Sequence, residues 1–186
     1  STFGSLTITG AAVAVTENAA LDLAGATISG TASFNSRNNA ITDSGTLAIS
    51  GTTTLAAGSG NNITLDTTGN NFTDAVMITS GNDVELVDTN GIVLGASTVS
   101  GDLTVTATLG DITDTGSLDV TGDASFTANA SGADIVLDDA SNRFGGAVAF
   151  ASSGGLADLT FVDTTAVALP SVTLTGNLNV TAGGAI

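Results

Sequence analysis

Seven short segments of the chain share one ending: residues alternate as they do in a strand, then close on an acid followed by Ser, Thr, Asn or a second Asp. The acids are Glu17, Asp43, Asp66, Asp88, Asp114, Asp138 and Asp163, recurring every 22 to 26 residues. A self-similar spacing of that size belongs to solenoids, in which each repeat is one winding of the chain. If each acid closes one winding, the seven acids occupy equivalent corners and form a ladder along the axis.

A longer period lies over the short one. Residues 21–42 align without a gap on residues 92–113 at an offset of 71, pairing Thr27-Ile28-Ser29-Gly30 with Thr98-Val99-Ser100-Gly101. The register continues through Ile41-Thr42-Asp43 against Ile112-Thr113-Asp114, then slips slightly, so that Asn70-Asn71-Phe72 meets Asn142-Arg143-Phe144. Slips of that kind are absorbed by loops on one side of a stack. The chain therefore reads as a single β-helical segment over 1–186, with long repeats at about 41–111 and 112–186 and a partial repeat at 1–40. Three acids fall in each long repeat, so each long repeat is expected to wind three coils.

The local pattern sets the fold class. Leu6-Thr7-Ile8-Thr9, Leu103-Thr104-Val105-Thr106 and Val172-Thr173-Leu174-Thr175 alternate with period two, the pattern of half-buried strands. No stretch carries apolar residues at helical spacing together with caps. Gly and Asn at Ser80-Gly81-Asn82 and Thr89-Asn90-Gly91 supply corners between strands expected near 74–79, 84–88 and 92–95. The expectation is an all-β, right-handed parallel β-helix, with about three strands per coil and about seven to eight coils of 22–26 residues. Phe3, Phe72 and Phe144 are expected to stack in its core, with Arg37 and Arg143 outside.

Several motifs resemble a known family. Asn70-Asn71-Phe72-Thr73-Asp74-Ala75-Val76, Leu86-Val87-Asp88-Thr89, the run from Leu94 to Ala107, and Ile112-Thr113-Asp114-Thr115-Gly116-Ser117-Leu118 are similar to the repeat region of large bacterial exoproteins of the filamentous-haemagglutinin type. The resemblance covers essentially the whole chain. It implies export by two-partner secretion, and a right-handed β-helix projecting from an outer membrane as part of an adhesin or biofilm-matrix fibre. It also implies an extracellular or outer-surface location and a host or matrix receptor.

Composition narrows the chemistry. Eighteen acids against two arginines, with no Lys and no His, give a formal charge of −16. Nucleic acid, whose binding depends on Lys and Arg contacts to phosphate, is disfavoured as a partner. Membrane insertion is disfavoured too, because no apolar run approaches the roughly 18 residues of a span. Without Cys, His or Lys the chain lacks thiol nucleophiles, imidazole bases, Schiff-base amines and the usual zinc ligands, so no catalytic residue and no enzymatic activity are expected. Absence of cysteine also fits an exported chain that threads unfolded across an outer membrane.

The acidic row offers the one constellation with candidate chemistry. Followed by Thr-Gly, Ser-Gly or Thr-Asn, each Asp can accept an N–H two residues on and fix a turn. The sharper alternative is a row of weak Ca²⁺ sites at Asp43, Asp66, Asp88, Asp114, Asp138 and Asp163, since hard cations favour carboxylate oxygens. The glycine-rich nonapeptide of calcium-binding β-rolls is missing, and no other cofactor is implied. The favoured function is a structural shaft. Its rival is a β-helical surface that binds ice or glycan, for which Thr7/Thr9, Thr52/Thr54, Thr104/Thr106 and Thr173/Thr175 are candidate contacts, although they do not return at every coil. Both termini read as interior repeat sequence, which leads to the expectation of a longer array or end-to-end stacking.

Overall fold

The computed structural model describes residues 3–186; Ser1 and Thr2, which open the expected 1–186 segment, lie outside the described residues. In chain order the strands are β1 (Leu6–Gly10), β2 (Val13–Thr16), β3 (Leu21–Ile28), β4 (Ala32–Asn35), β5 (Ile41–Asp43), β6 (Leu47–Ile49), β7 (Thr53–Ala56), β8 (Ile63–Leu65), β9 (Asn71–Phe72), β10 (Val76–Ser80), β11 (Val84–Asp88), β12 (Ile92–Leu94), β13 (Ser97–Val99), β14 (Leu103–Ala107), β15 (Ile112–Asp114), β16 (Leu118–Val120), β17 (Ala124–Ala128), β18 (Ala133–Leu137), β19 (Arg143–Phe144), β20 (Val148–Ala151), β21 (Leu156–Asp163) and β22 (Leu178–Ala182). No helix occurs among the described residues.

Every strand pairing is parallel, and it joins a strand to one about a coil further along the chain, as in Ile41↔Ile63, Leu86↔Val105 and Ile112↔Ile135. The result is a β-solenoid of about eight turns. One stack runs almost its whole length, from the first half of β3 through β5, β8, β11, β14, β17 and β20. Two further stacks complete the early coils: β1, the second half of β3, β6 and β9 in one, and β2, β4, β7 and β10 in the other. In the later coils their places are taken by β12, β15, β18, β21 and β22, and by β13, β16 and β19. The handover occurs at β10, which meets β12 through Val76↔Leu94, while Gly81, just past its end, bridges to Val99 of β13.

Strand β3 closes one coil and opens the next without a break. Its first half pairs with β5 and its second with β6, and Gly25, at φ 151°, supplies a backbone conformation that L-residues rarely adopt where the strand changes stack. Near the other end, residues 164–173 complete a coil without regular strand: the Thr164 N–H reaches the Asn142 carbonyl and Leu156 bridges to Leu174. Pro170, the one proline of the chain, sits in this stretch, where it removes no ladder hydrogen bond from a strand interior.

Alternation places apolar side chains inside and polar ones outside. Ile41, Ile63, Val84, Leu103, Ala124 and Val148 follow one another up the long stack, all buried, while the intervening positions turn Thr42, Thr64, Glu85, Thr104, Ser125 and Ala149 outward. A single coil exposes its inner face at both ends, so burial exists only in the stack. In the later coils four phenylalanines fill the interior: Phe144 and Phe161 have ring centroids 5.0 Å apart, Phe150 meets Phe161 edge-on at 5.2 Å, and Phe126 lies 6.0 Å from both Phe144 and Phe150. Phe72 is likewise buried, but Phe3 is 41% exposed and lies outside the core row expected for it, since the first coil has no coil beneath it among the described residues.

The register alters the relation between the two periods. Stacked residues lie 17 apart at Leu6↔Leu23 and 24 apart at Asp119↔Arg143, averaging less than the spacing of the acidic marks. The long repeat consequently exceeds three coils. The segment around β5 recurs at β15, that around β8 at β18 and that around β11 at β21, ten strands later in each case. With three strands to a coil, ten strands make three and a third coils rather than three.

Candidate functional site: stapled corners and aspartate rungs

The seven acids do not form one ladder. Glu17 follows β2; Asp43 and Asp88 end strands of the long stack and Asp66 directly follows one; Asp114 and Asp163 end strands of the stack built on β12 and Asp138 directly follows one. Marks spaced wider than the coil drift round it, and between Asp88 and Asp114 they cross to another face. Within each group of three, the acids do different work.

Asp43 and Asp114 are staples between coils. The Asp43 carboxylate accepts from the Asp66 N–H (3.1 Å), the Thr67 N–H (3.4 Å) and the Asn70 side-chain amide (2.6 Å). The Asn70 carbonyl oxygen in turn accepts the Leu47 N–H at 2.9 Å. Asp114 repeats the arrangement: Asp138 N–H (3.0 Å), Asp139 N–H (3.4 Å) and the Asn142 amide (2.6 Å) donate to it, and Asn142 takes the Leu118 N–H at 2.8 Å. Asn70 and Asn142 are fully buried. Burial pushes the Asp114 carboxyl above its ordinary value, against the Asn142 amide and the two backbone donors, with the charge of Asp138 adding to the rise.

Asp88 and Asp163 combine a turn with a staple. Asp88 accepts the Asn90 N–H two residues on (2.6 Å) and the Phe72 N–H of the preceding coil (2.7 Å). Asp163 accepts the N–H and hydroxyl of Thr165 (2.9 Å each) and the Phe144 N–H (3.4 Å). The turn expected after every acid is therefore present at these two. At Asp88 desolvation again raises the pKa, opposed by its two backbone donors. Glu17, also buried, holds the N–H groups of Phe3 and Asn18.

A second set of acids, absent from the seven, makes true ladders. Asp102 N–H donates to Asp83, Asp123 N–H to Asp102, and Ala147 N–H to Asp123, at 3.2, 2.8 and 2.7 Å. On another corner Asp134 N–H donates to Asp111, Asp158 N–H to Asp134, and Asn177 N–H to Asp158, at 2.8, 2.9 and 2.6 Å. Carboxylates stacked at coil spacing repel by about 1 kcal/mol or less in water, which a charge-assisted bond from each N–H offsets. Gly122 shows the tightness of the first corner: a Cβ there would lie 2.3 Å from Asp102 Oδ1 and 2.5 Å from the Gly101 carbonyl oxygen. The sequence signal for this ladder was the pair Gly101-Asp102 returning as Gly122-Asp123.

As a candidate Ca²⁺ row, Asp43, Asp66, Asp88, Asp114, Asp138 and Asp163 are divided between two faces, with four of them already accepting protein N–H groups. No group of three or more acids placed to share a cation occurs among the described residues. Arg143 lies outside and pairs with Asp119 at 3.0 Å, half exposed; Arg37 is also exposed, in a left-handed turn at φ 47°. The surface grooves are open and shallow, one of them running past Thr64, Asp83, Glu85, Asp102 and Thr104. Among the described residues no helix is long and apolar enough to cross a membrane.

Parallel strands in coiled register, corners locked by side-chain to backbone bonds, and a sequence repeat laid along them define a β-solenoid repeat protein. The chain belongs to the family described as repeats of unknown function, DUF5649, which matches residues 9–79, 81–151 and 156–186. No curated protein and no solved structure matches the chain.

Proposed function

We propose that the chain is a non-enzymatic shaft of a bacterial surface or secreted adhesin or biofilm-matrix fibre, of the filamentous-haemagglutinin type exported by two-partner secretion. One observation carries this reading: the recurrent polar side chains are engaged in tying one coil to the next. Asp43, Asp88, Asp114 and Asp163 bind backbone across coils, and the aspartates of the two ladders do the same as rungs. Such side chains build length and stiffness. The charge of −16 coats the rod and opposes side-to-side association of a β-rich chain at the cell exterior.

The outward row on the long stack argues against an ice-binding plane. Thr42 and Thr64 are followed by Glu85, and Thr104 by Ser125 and Ala149, so the threonine spacing breaks within a few coils.

The test places the chain between a cell-surface anchor and a binding domain of known target. Capture through a crowded surface layer should rise with each added copy, while the displayed chain alone should retain neither glycans nor matrix proteins. Saturable glycan capture or glycan hydrolysis by the chain alone would defeat the proposal. Thermal hysteresis and a melting temperature lowered by chelator would instead favour ice binding and calcium binding respectively.

A further inference from the structure

We infer that successive family repeats are related by a screw of about a third of a turn, so that a partner reading a repeat-borne surface meets its copies on different sides of the rod. The inference goes beyond the shaft reading and holds whatever the rod supports. It rests on the mismatch between repeat and coil. The Thr42 position is followed directly up its stack by Thr64, Glu85, Thr104 and Ser125, whereas its sequence equivalent, Thr113, sits over Val93 in another stack.

The rest of the repeat moves with it. β7, in the stack of β4 and β10, recurs as β17 between β14 and β20 in the long stack. The buried device moves intact: the Asp43–Asn70–Leu47 staple returns as Asp114–Asn142–Leu118 with its bond lengths kept within about 0.1 Å. Preservation of the bonds across a change of face means that the unit copied is the corner with its strands, and the face is left to follow. Because ten strands leave a remainder of one when divided among three faces, each further repeat of this length advances one face. The original side returns after three repeats, which is ten coils or about 48 Å. A partner that needs identical groups at every coil on one flat side finds none; a small binder specific for one repeat-borne loop can occupy neighbouring repeats at once.

The loop joining β7 to β8 and its equivalent joining β17 to β18 provide the test. Gly60 and Gly132 face open space, so a short epitope can be inserted after Gly60 and after Ser131. The two sites differ in height by only about 16 Å, far less than the width of an antibody fragment. Each single-tagged chain should bind one fragment and the double-tagged chain two; one fragment on the double-tagged chain would overturn the inference. Spin labels read the same geometry without insertions. The Thr42→Cys/Thr113→Cys pair should lie about 8 Å or more further apart than Thr42→Cys/Thr104→Cys, given about 4.8 Å per coil and a strand about 17 Å long. Equal separations would also overturn it.

Discussion

At the scale of single residues, the buried staples carry more stability than their exposed counterparts. Asn142 is enclosed, donates to Asp114 and accepts from Leu118, so Asn142→Ala leaves a buried carboxylate short of a donor and a buried N–H short of an acceptor. Urea unfolding should register a loss of about 2–4 kcal/mol. Removing the half-exposed Arg143–Asp119 pair should alter the midpoint far less. Asp88 and Asp114 also fix a pH dependence. Each has a folded-state pKa above the ordinary carboxylate value of 3.8, so its contribution is fully present below that value and is lost as pH rises through the folded pKa. Denaturation midpoints of the protein should therefore rise on moving from neutral pH toward 4, and the rise should be smaller in Asp88→Asn/Asp114→Asn.

At the scale of elements, the core of the later coils depends on aromatic contacts between strands. Phe126 contacts Phe144 edge-on and stacks on Phe150, and all three come from the stretch β17 to β20. Phe126→Ala should cost about 3–5 kcal/mol. Because each coil touches only its neighbours, hydrogen exchange should quicken first in β14, β17 and β20, with β5 and β8 little changed; uniform acceleration would show the rod unfolding as one unit. The strands themselves were legible, because alternation in runs such as Leu103-Thr104-Val105-Thr106 reports a local constraint. The corners were less so. Acid-ended strands drew attention to Asp43 and Asp114, but the partners Asn70 and Asn142 lie 27 and 28 residues on, and only the fold brings them in. Asp83, Asp102 and Asp123 precede their strands, so the acid-ended strand pattern does not mark them.

At the scale of the whole molecule, the number of residues per turn was the quantity hardest to read. Three acids per long repeat correspond to three turns only if each acid returns to the same corner, and these acids do not. Coil length depends on corner size, which differs between corners such as the two residues between β12 and β13 and the six between β7 and β8, and those insertions leave no periodic trace. The solenoid class does not depend on that count because parallel stacking follows from strand pattern and repetition, whereas the azimuth of any residue accumulates every corner before it. In solution, small-angle scattering from eight turns should fit a cylinder about 38 Å long.

The aspartate rungs have a direction. Asp83, Asp102 and Asp123, like Asp111, Asp134 and Asp158, receive an amide proton from the winding that follows each of them in the chain. A finished winding thus presents acceptors that wait for chain still to arrive, and the structure acquires a growing end, as a zipper does. Pulse-labelled refolding should protect the Asp102 amide before that of Asp123, and Asp134 before Asp158; the reverse order would show that closure starts from the opposite end.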